Sequence, residues 1–482
     1  MRRAKIVATL GPALDNPDTL QAALEAGIDI VRLNFSHGEA ETHARRLEMV
    51  REISVKIGRN VGSLADLQGP KIRLGNLPDE GVDVPVGSEV YLQPGREELD
   101  EYSSGGHASL PVVYEKLAND VEPGALVLID DGSIRLVVSR HDRGGVWARV
   151  VAGGLAKSKK GVNLPGVQVS APSLTEKDLE DLDTAVRIGA DWLALSFVRT
   201  AEDMINAGKQ IEERGGESPT IAKLERPEAI ENLSDVIAAS DAVMVARGDL
   251  GVEIGPERVP AIQKEIIAEA NAAAKPVITA TEMLESMINS PRATRAEASD
   301  VANAIFDGTD AVMLSGETAA GRYPVDAVRT MARIIEVAES SPHLLHPNPD
   351  WQKDPEEMGL SRIVARAACQ VALDVNAAAL VVYSISGHSI QVVSKYRPGV
   401  PLLGLTPSES TRRRTALMWG TEAGLVPMKE QQVDLTNSAE RVLVDGDWAR
   451  AGDLVVVVSG RPGGMGGTNR IMVHRVGDPV LR

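Results

Sequence analysis

Four short apolar runs decide the fold: TIAKLE (Thr220–Glu225), AVMVARG (Ala242–Gly248), VITAT (Val277–Thr281) and AVMLSG (Ala311–Gly316). Each is too short for a helix and rich in strand formers. Helix-like segments separate them, such as PERVPAIQKEIIAEANAAA (Pro256–Ala274). Four more runs lie upstream: KIVATLG from Lys5, IDIVRLNFS from Ile28, VGSLADLQG from Val61 and DWLALSFV from Asp191. Eight βα units predict an α/β fold, a parallel (β/α)8 TIM barrel with its site at the C-terminal strand ends.

One interval breaks the rhythm. Residues 71–171 contain GALVLIDDGSIRLVVSR (Gly124–Arg140) and GGVWARVVAGG (Gly144–Gly154), which read as hairpin strands with Gly and Asp turns. A β-rich domain is inserted there, and a βα-loop insertion falls over the active face as a lid. The barrel is expected from 1–70 and 172–343, and a Pro-rich linker at 344–357. A C-terminal α/β effector domain follows at 358–482, with strand candidates AAALVVYSISG, VPLLGLTPS and DLVVVVSG.

Composition limits the possible partners. The chain has 482 residues and a net charge of −17, so it is a poor general binder of nucleic acid. An anionic substrate needs a local cluster of positive charge. The single cysteine, Cys369, sits in an apolar run and fits a reducing, cytoplasmic location. Neither a signal peptide nor a membrane span is read, so no membrane partner is expected.

Side chains alternate along a strand, so residues two apart share a face. Arg32, Asn34 and Ser36 therefore fall together, as do Asp66 with Gln68, Lys223 with Glu225, and Thr279 with Thr281. Arg247 and Asp249 follow the sixth strand. One such pair reads as a solvated strand end; five converging on one barrel mouth read as a site. Glu225 and Asp249 suit Mg²⁺, which takes oxygen ligands, few of them from protein. Arg32, Lys223 and Arg73 can neutralise a moving phosphoryl group. Gly248 lets a backbone amide approach an anion.

RLNFSHG (Arg32–Gly38), GPKIR (Gly69–Arg73), KKGVNLPG (Lys159–Gly166) and AKLE (Ala222–Glu225) resemble the pyruvate kinase family. So do MVARGDLG (Met244–Gly251), TATEMLESM (Thr279–Met287) and MLSGETAAGRYP (Met313–Pro324). The resemblance runs in order over nearly the whole chain. It implies phosphate transfer from phosphoenolpyruvate to ADP, giving pyruvate and ATP in glycolysis. It implies Mg²⁺, with Mn²⁺ as a substitute, on Glu225 and Asp249. Lys223 matches the lysine on the phosphoryl group and enolate, and Arg32 the phosphoryl arginine. Gly248 and Thr281 match phosphoenolpyruvate contacts, with Thr281 near the carbon that is protonated. Asn34, Ser36, His37, Arg73 and the lid lysine Lys160 match the nucleotide side. A homotetramer is the family's usual assembly.

Three departures mark a subtype. Many family members read D-T-K-G-P-E-I-R in the third strand and need K⁺. Here Leu67 replaces the threonine, Gln68 the lysine and Lys71 the glutamate. Lys71 is read as a tethered ammonium surrogate in the monovalent-cation region of Asn34, Ser36 and Asp66, so K⁺ is not expected to be required. In the C-terminal domain, Ser384, Ser386, Gly387, His388 and Ser389 precede a helix, and Arg461 opens a second Gly-rich loop. Hydroxyls and amides at a helix start cradle phosphate. Both loops resemble the family's effector loops, and a sugar phosphate and AMP both remain open as the effector.

Overall fold

The computed structural model describes residues 2–99, 107–142, 144–341, 359–427, 432–460 and 468–479. The linker 344–357 and Arg461 lie outside the described residues. The chain opens with β1 (Lys5–Thr9), β2 (Ile30–Asn34) and β3 (Gly62–Asp66). A β-rich segment follows: β4 (Val82–Val84), β5 (Glu89–Pro94), β6 (Ala108–Val112), β7 (Leu126–Ile129), β8 (Ile134–Asp142), β9 (Gly145–Ala152), β10 (Gly154–Ala156) and β11 (Val162–Asn163). The barrel resumes with β12 (Trp192–Leu195), β13 (Thr220–Leu224), β14 (Ala242–Ala246), β15 (Val277–Ala280) and β16 (Ala311–Leu314). β17 (Ala379–Tyr383), β18 (Leu402–Thr406), β19 (Thr421–Leu425), β20 (Leu454–Gly460) and β21 (Thr468–Arg475) form the last sheet.

The closed barrel runs β1-β16-β15-β14-β13-β12-β3-β2, and every pairing is parallel. All eight expected strands are in it. Period-two alternation explains the packing. Val7, Ile30, Leu64, Ile221, Met244 and Met313 belong to one buried cluster that fills the barrel. The alternate residues, such as Ala8, Val31 and Leu33, pack outward against helices. With apolar residues filling the middle layers, inward polar side chains gather at the C-terminal rim, while Lys5 at the other end donates to Thr421 O of the C-terminal domain at 2.8 Å.

The inserted segment forms a six-stranded sheet, β11-β7-β8-β9-β5-β6, and a β10-β4 pair. Its core is its own, with Val90, Leu92, Leu136 and Val150 buried. The expected hairpins are the antiparallel pairs β7-β8 and β8-β9. The C-terminal sheet runs β19-β18-β17-β20-β21, parallel except for β20-β21. Ala416 and Leu417 of this domain join the cluster inside the barrel. Trp192 Nε1 donates to Arg414 O at 3.3 Å, and Arg413 pairs with Asp191 at 2.8 Å. The C-terminal domain therefore closes the barrel's N-terminal face, opposite the lid. Among the described residues no helix is long and apolar enough to cross a membrane.

Candidate active site

Inward side chains at the ends of β2, β3 and β13 meet in one ionic network. Arg32 Nε donates to Asp66 Oδ2 at 2.6 Å, and Nη1 donates to Thr9 Oγ1 at 3.0 Å. Lys223 Nζ lies 3.3 Å from Asp66 Oδ1 and 2.8 Å from Glu225 Oε1. It also donates to Ser196 Oγ at 2.6 Å. Asp66 and Glu225 are each 1% exposed, so each carboxylate depends on these cations in place of water. Burial pushes Asp66 up, but Lys223 and Arg32 outweigh it and hold its carboxyl below the usual range. Burial pulls Lys223 down, yet Asp66 and Glu225 overcome it and the ammonium is held more firmly than usual.

Glu225 behaves differently. Burial raises it, Lys223 offsets only part of that, and the like charge of Asp249 adds to the rise. Two carboxylates that repel each other across a barrel mouth fit a divalent cation, which would relieve both. Among the described residues no group of three or more His, Cys, Asp and Glu side chains converges, so protein donors here are few. That suits Mg²⁺, whose remaining ligands come from substrate and water. Glu225 Oε2 is aimed by the Phe197 amide, which donates to it at 2.8 Å.

Asp249 comes from a different element. β14 ends at Ala246 and the helix Arg247–Ile254 begins at once, with Asp249 in its first turn. A carboxylate there is favoured by the helix dipole. Arg247 points away from the ionic network: it donates to Thr281 O at 2.7 Å and pairs with Asp300 at 2.7 Å. It braces the segment after β15.

That segment overturns one expectation. Thr279 does not share the mouth with Thr281. It is fully buried and donates to Thr309 Oγ1 at 3.0 Å. The inward residues of β15 are Ile278 and Ala280. Thr281 lies past the strand end at φ +66°, and this left-handed turn breaks the two-residue period. A β-branched residue in that region costs on the order of 1–3 kcal/mol. Thr281 Oγ1 accepts from Gly248 N at 2.8 Å and donates to Ala280 O at 2.7 Å. Gly248 and Thr281 are thus adjacent.

The nucleotide-side residues are more dispersed. Asn34 Oδ1 accepts from Ser36 N at 3.2 Å, closing the turn after β2. His37 is exposed; partial burial and then the cations Arg73, Arg32 and Lys71 keep its imidazole below its ordinary value. Arg73 Nη1 donates to Lys159 O at 3.2 Å. Lys160 does not reach the mouth, and pairs with Asp130 of its own domain at 2.8 Å. Lys71 Nζ lies 3.0 Å from Asp249 Oδ1; no pairing with Asn34, Ser36 or Asp66 is seen among the described residues.

Sequence reasoning missed Ser196 and Phe197. Ser196 continues the Trp192, Ala194 alternation inward, so the period alone could have found it. Phe197, at φ +56°, carries no such signal. In the C-terminal domain, Gly387 (φ +89°) caps the helix His388–Lys395. Ser384 Oγ accepts from Gly387 N at 3.0 Å, and Ser386 Oγ accepts from His388 N at 3.5 Å. Ser389 Oγ accepts from Thr468 Oγ1 at 2.6 Å, which brings the start of β21 against this loop.

Comparison with known proteins agrees with the geometry. Residues 1–328 match the family model "Pyruvate kinase, barrel domain", and residues 362–474 match "Pyruvate kinase, alpha/beta domain". A pyruvate kinase of Mycobacterium tuberculosis is 44% identical over 482 residues, covering 99% of each chain. One from Corynebacterium glutamicum is 45% identical over 478 residues, covering 99% of this chain and 98% of its own. One from Staphylococcus saprophyticus is 42% identical over 486 residues, covering all of this chain and 82% of its own. On its barrel, its C-terminal domain and this full-length similarity, the chain belongs to the pyruvate kinase family of phosphotransferases.

Proposed function

We propose that the barrel mouth transfers the phosphoryl group of phosphoenolpyruvate to ADP, giving pyruvate and ATP. The carrying observation is the Arg32–Asp66–Lys223–Glu225 network beside Asp249. Glu225 and Asp249 would hold Mg²⁺, with Mn²⁺ as a substitute. When bound, the ion supplies positive charge to the phosphoryl and enolate oxygens. Lys223, charged at every working pH, faces the same oxygens and stabilises the charge that develops on them. Arg32, fixed by Asp66 and Thr9, orients the phosphoryl group for in-line transfer. The Gly248 amide and the Thr281 hydroxyl bind the carboxylate end, and Thr281 holds water beside the methylene carbon for its protonation.

On the nucleotide side, Asn34, Ser36, His37 and Arg73 surround ADP, and Lys160 arrives from the lid. That last role needs the Lys160–Asp130 pair to open. Such an exposed pair is worth only ~0–1 kcal/mol, so opening it is a small cost. Lys71 supplies the monovalent charge near the phosphates and removes the need for K⁺. Ser384, Ser386, Gly387, His388 and Ser389, with Arg461, receive a phosphorylated effector, a sugar phosphate or AMP. A cytoplasmic homotetramer is the assembly proposed from the family.

A lactate dehydrogenase-coupled assay with phosphoenolpyruvate, ADP and Mg²⁺ tests the reaction. NADH oxidation that depends on both substrates is expected; its absence in the metal-replete enzyme would defeat the reading. Repeating the assay with fructose bisphosphates, glucose 6-phosphate and AMP sorts the effectors.

A further inference from the structure

A second polar cluster lies behind the two carboxylates proposed to hold the metal, and no step of the proposed reaction uses it. Arg226 directly follows Glu225, and Glu253 lies four residues after Asp249 on the same helix. Arg226 Nη1 meets Glu253 Oε1 at 3.1 Å. This ion pair ties the end of β13 to the helix after β14, the two segments that carry Glu225 and Asp249. Arg226 also donates from Nη2 to Glu228 Oε1 at 2.9 Å.

Both members of the pair also reach the lid. Asn163, at the end of β11, donates from Nδ2 to Glu253 Oε1 at 3.0 Å. Arg226 Nη2 donates to Val167 O at 3.0 Å. Asn163, Arg226 and Glu253 are 5%, 6% and 7% exposed, so water screens these bonds little. They wall a cleft between lid and barrel that Lys71 also lines. Among the described residues, Glu253 Oε2 and Asn163 Oδ1 in that wall have no hydrogen bond. A cluster serving only to glue two surfaces would leave fewer buried acceptors unmet. Lys71 makes another lid-to-barrel link, but it occupies Asp249 itself. The Glu253 link does not engage Asp249.

We propose that Asn163, Arg226 and Glu253 are positioning residues that set the relative placement of Glu225 and Asp249 and couple it to the lid hinge. Metal binding would then be felt at the hinge, and lid position at the metal. The proposal rests on the reading of Glu225 and Asp249 as metal ligands.

The test uses the full chain and Mn²⁺ as probe. Affinity is read from the electron paramagnetic resonance of free Mn²⁺, and hinge order from hydrogen exchange of the amides of residues 162–169. In the wild type, saturating Mn²⁺ slows that exchange. Glu253→Gln, which breaks the ion pair, weakens Mn²⁺ binding by about tenfold, as loss of a group orienting a metal ligand does. Asn163→Leu removes the lid-side bond to Glu253 and leaves the one from Arg226 to Val167 O. It binds Mn²⁺ within about threefold of wild type, since both carboxylate segments stay tied, but its hinge response is clearly weakened. Asn163→Leu keeps the test open should Glu253→Gln fail to fold, which thermal melting reveals. A merely structural cluster would lower melting temperatures and leave the Mn²⁺ response of the hinge intact in both variants, overturning the proposal. Glu225→Gln serves as the control: unchanged Mn²⁺ affinity there would overturn the metal reading itself, and this proposal with it.

Discussion

Lys71 Nζ lies 3.0 Å from Asp249 Oδ1, so an ammonium group from the lid hinge sits on one of the two carboxylates read as metal ligands. Both side chains are about a quarter exposed, at 24% and 25%, so the pair is weak enough to exchange partners. Were Asp249 to hold Mg²⁺ as proposed, the Lys71 ammonium would be free to face the phosphates.

The first prediction concerns this group. The wild-type enzyme is expected to turn over in Na⁺ or Tris buffer without K⁺. Lys71→Glu places a fourth carboxylate at the mouth, beside Asp66, Glu225 and Asp249, and should lower turnover by ~10-fold or more without K⁺, with partial recovery on adding it. Steady-state rates at matched ionic strength check this. A large K⁺ stimulation of the wild type, or an unchanged cation demand in Lys71→Glu, would contradict the surrogate role.

Lys223→Met removes the ammonium that faces both Asp66 and Glu225. Turnover should fall by ~10²–10³-fold, the usual loss for a charge aimed at developing negative charge. Stability should fall too, because two buried carboxylates lose a partner; breaking such a pair costs about 3–5 kcal/mol. Thermal melting at neutral pH separates the effects. A folded variant with near-normal turnover would remove Lys223 from the reaction.

Much of this site was legible because the barrel rim obeys a local rule. Once β2, β3 and β13 are found, alternation alone sends Arg32, Asp66 and Lys223 inward beside Val7 and Ile221. The rule fails where the backbone leaves the strand. Thr281 turns left-handed and Asp249 sits on a helix, so the period misplaced Thr279. It is silent on contacts distant in sequence. Nothing local announces that Glu253 meets Asn163, or that Leu417 fills the barrel floor. Lys71 was legible as a departure, but its partner was not.

Thr281→Ala deletes the hydroxyl that accepts from Gly248 N and leaves that amide without its partner. Phosphoryl transfer and enolate protonation should respond unequally. The rate of pyruvate formation should drop ~10–100-fold, and exchange of pyruvate methyl protons with solvent should drop further. Thr281→Ser should restore most of both, since it keeps the hydroxyl. Equal rates in Thr281→Ala and wild type for proton exchange would move the water-holding role elsewhere.

The last prediction tests the join between barrel and C-terminal domain. Lys395, the final residue of the helix that begins at His388, pairs with Asp310 at 2.5 Å in a fully buried setting just before β16. Burial pulls the Lys395 ammonium down to about 8; Asp310 opposes this and Arg397 adds to it. The sign follows from proton counting. The unfolded chain keeps this proton up to its ordinary 10.5, while the folded chain releases it near 8. Between those values the unfolded state binds more protons, so this group makes folding more favourable as pH rises. Below pH 8 both states hold the proton and the slope vanishes. The wild type should therefore gain stability relative to Lys395→Met between pH 8 and 10.5, by at most about 1.4 kcal/mol per pH unit. Urea unfolding of both proteins across that range measures the difference. A difference that stays flat, or shrinks with rising pH, would show that Asp310 holds the ammonium charged throughout.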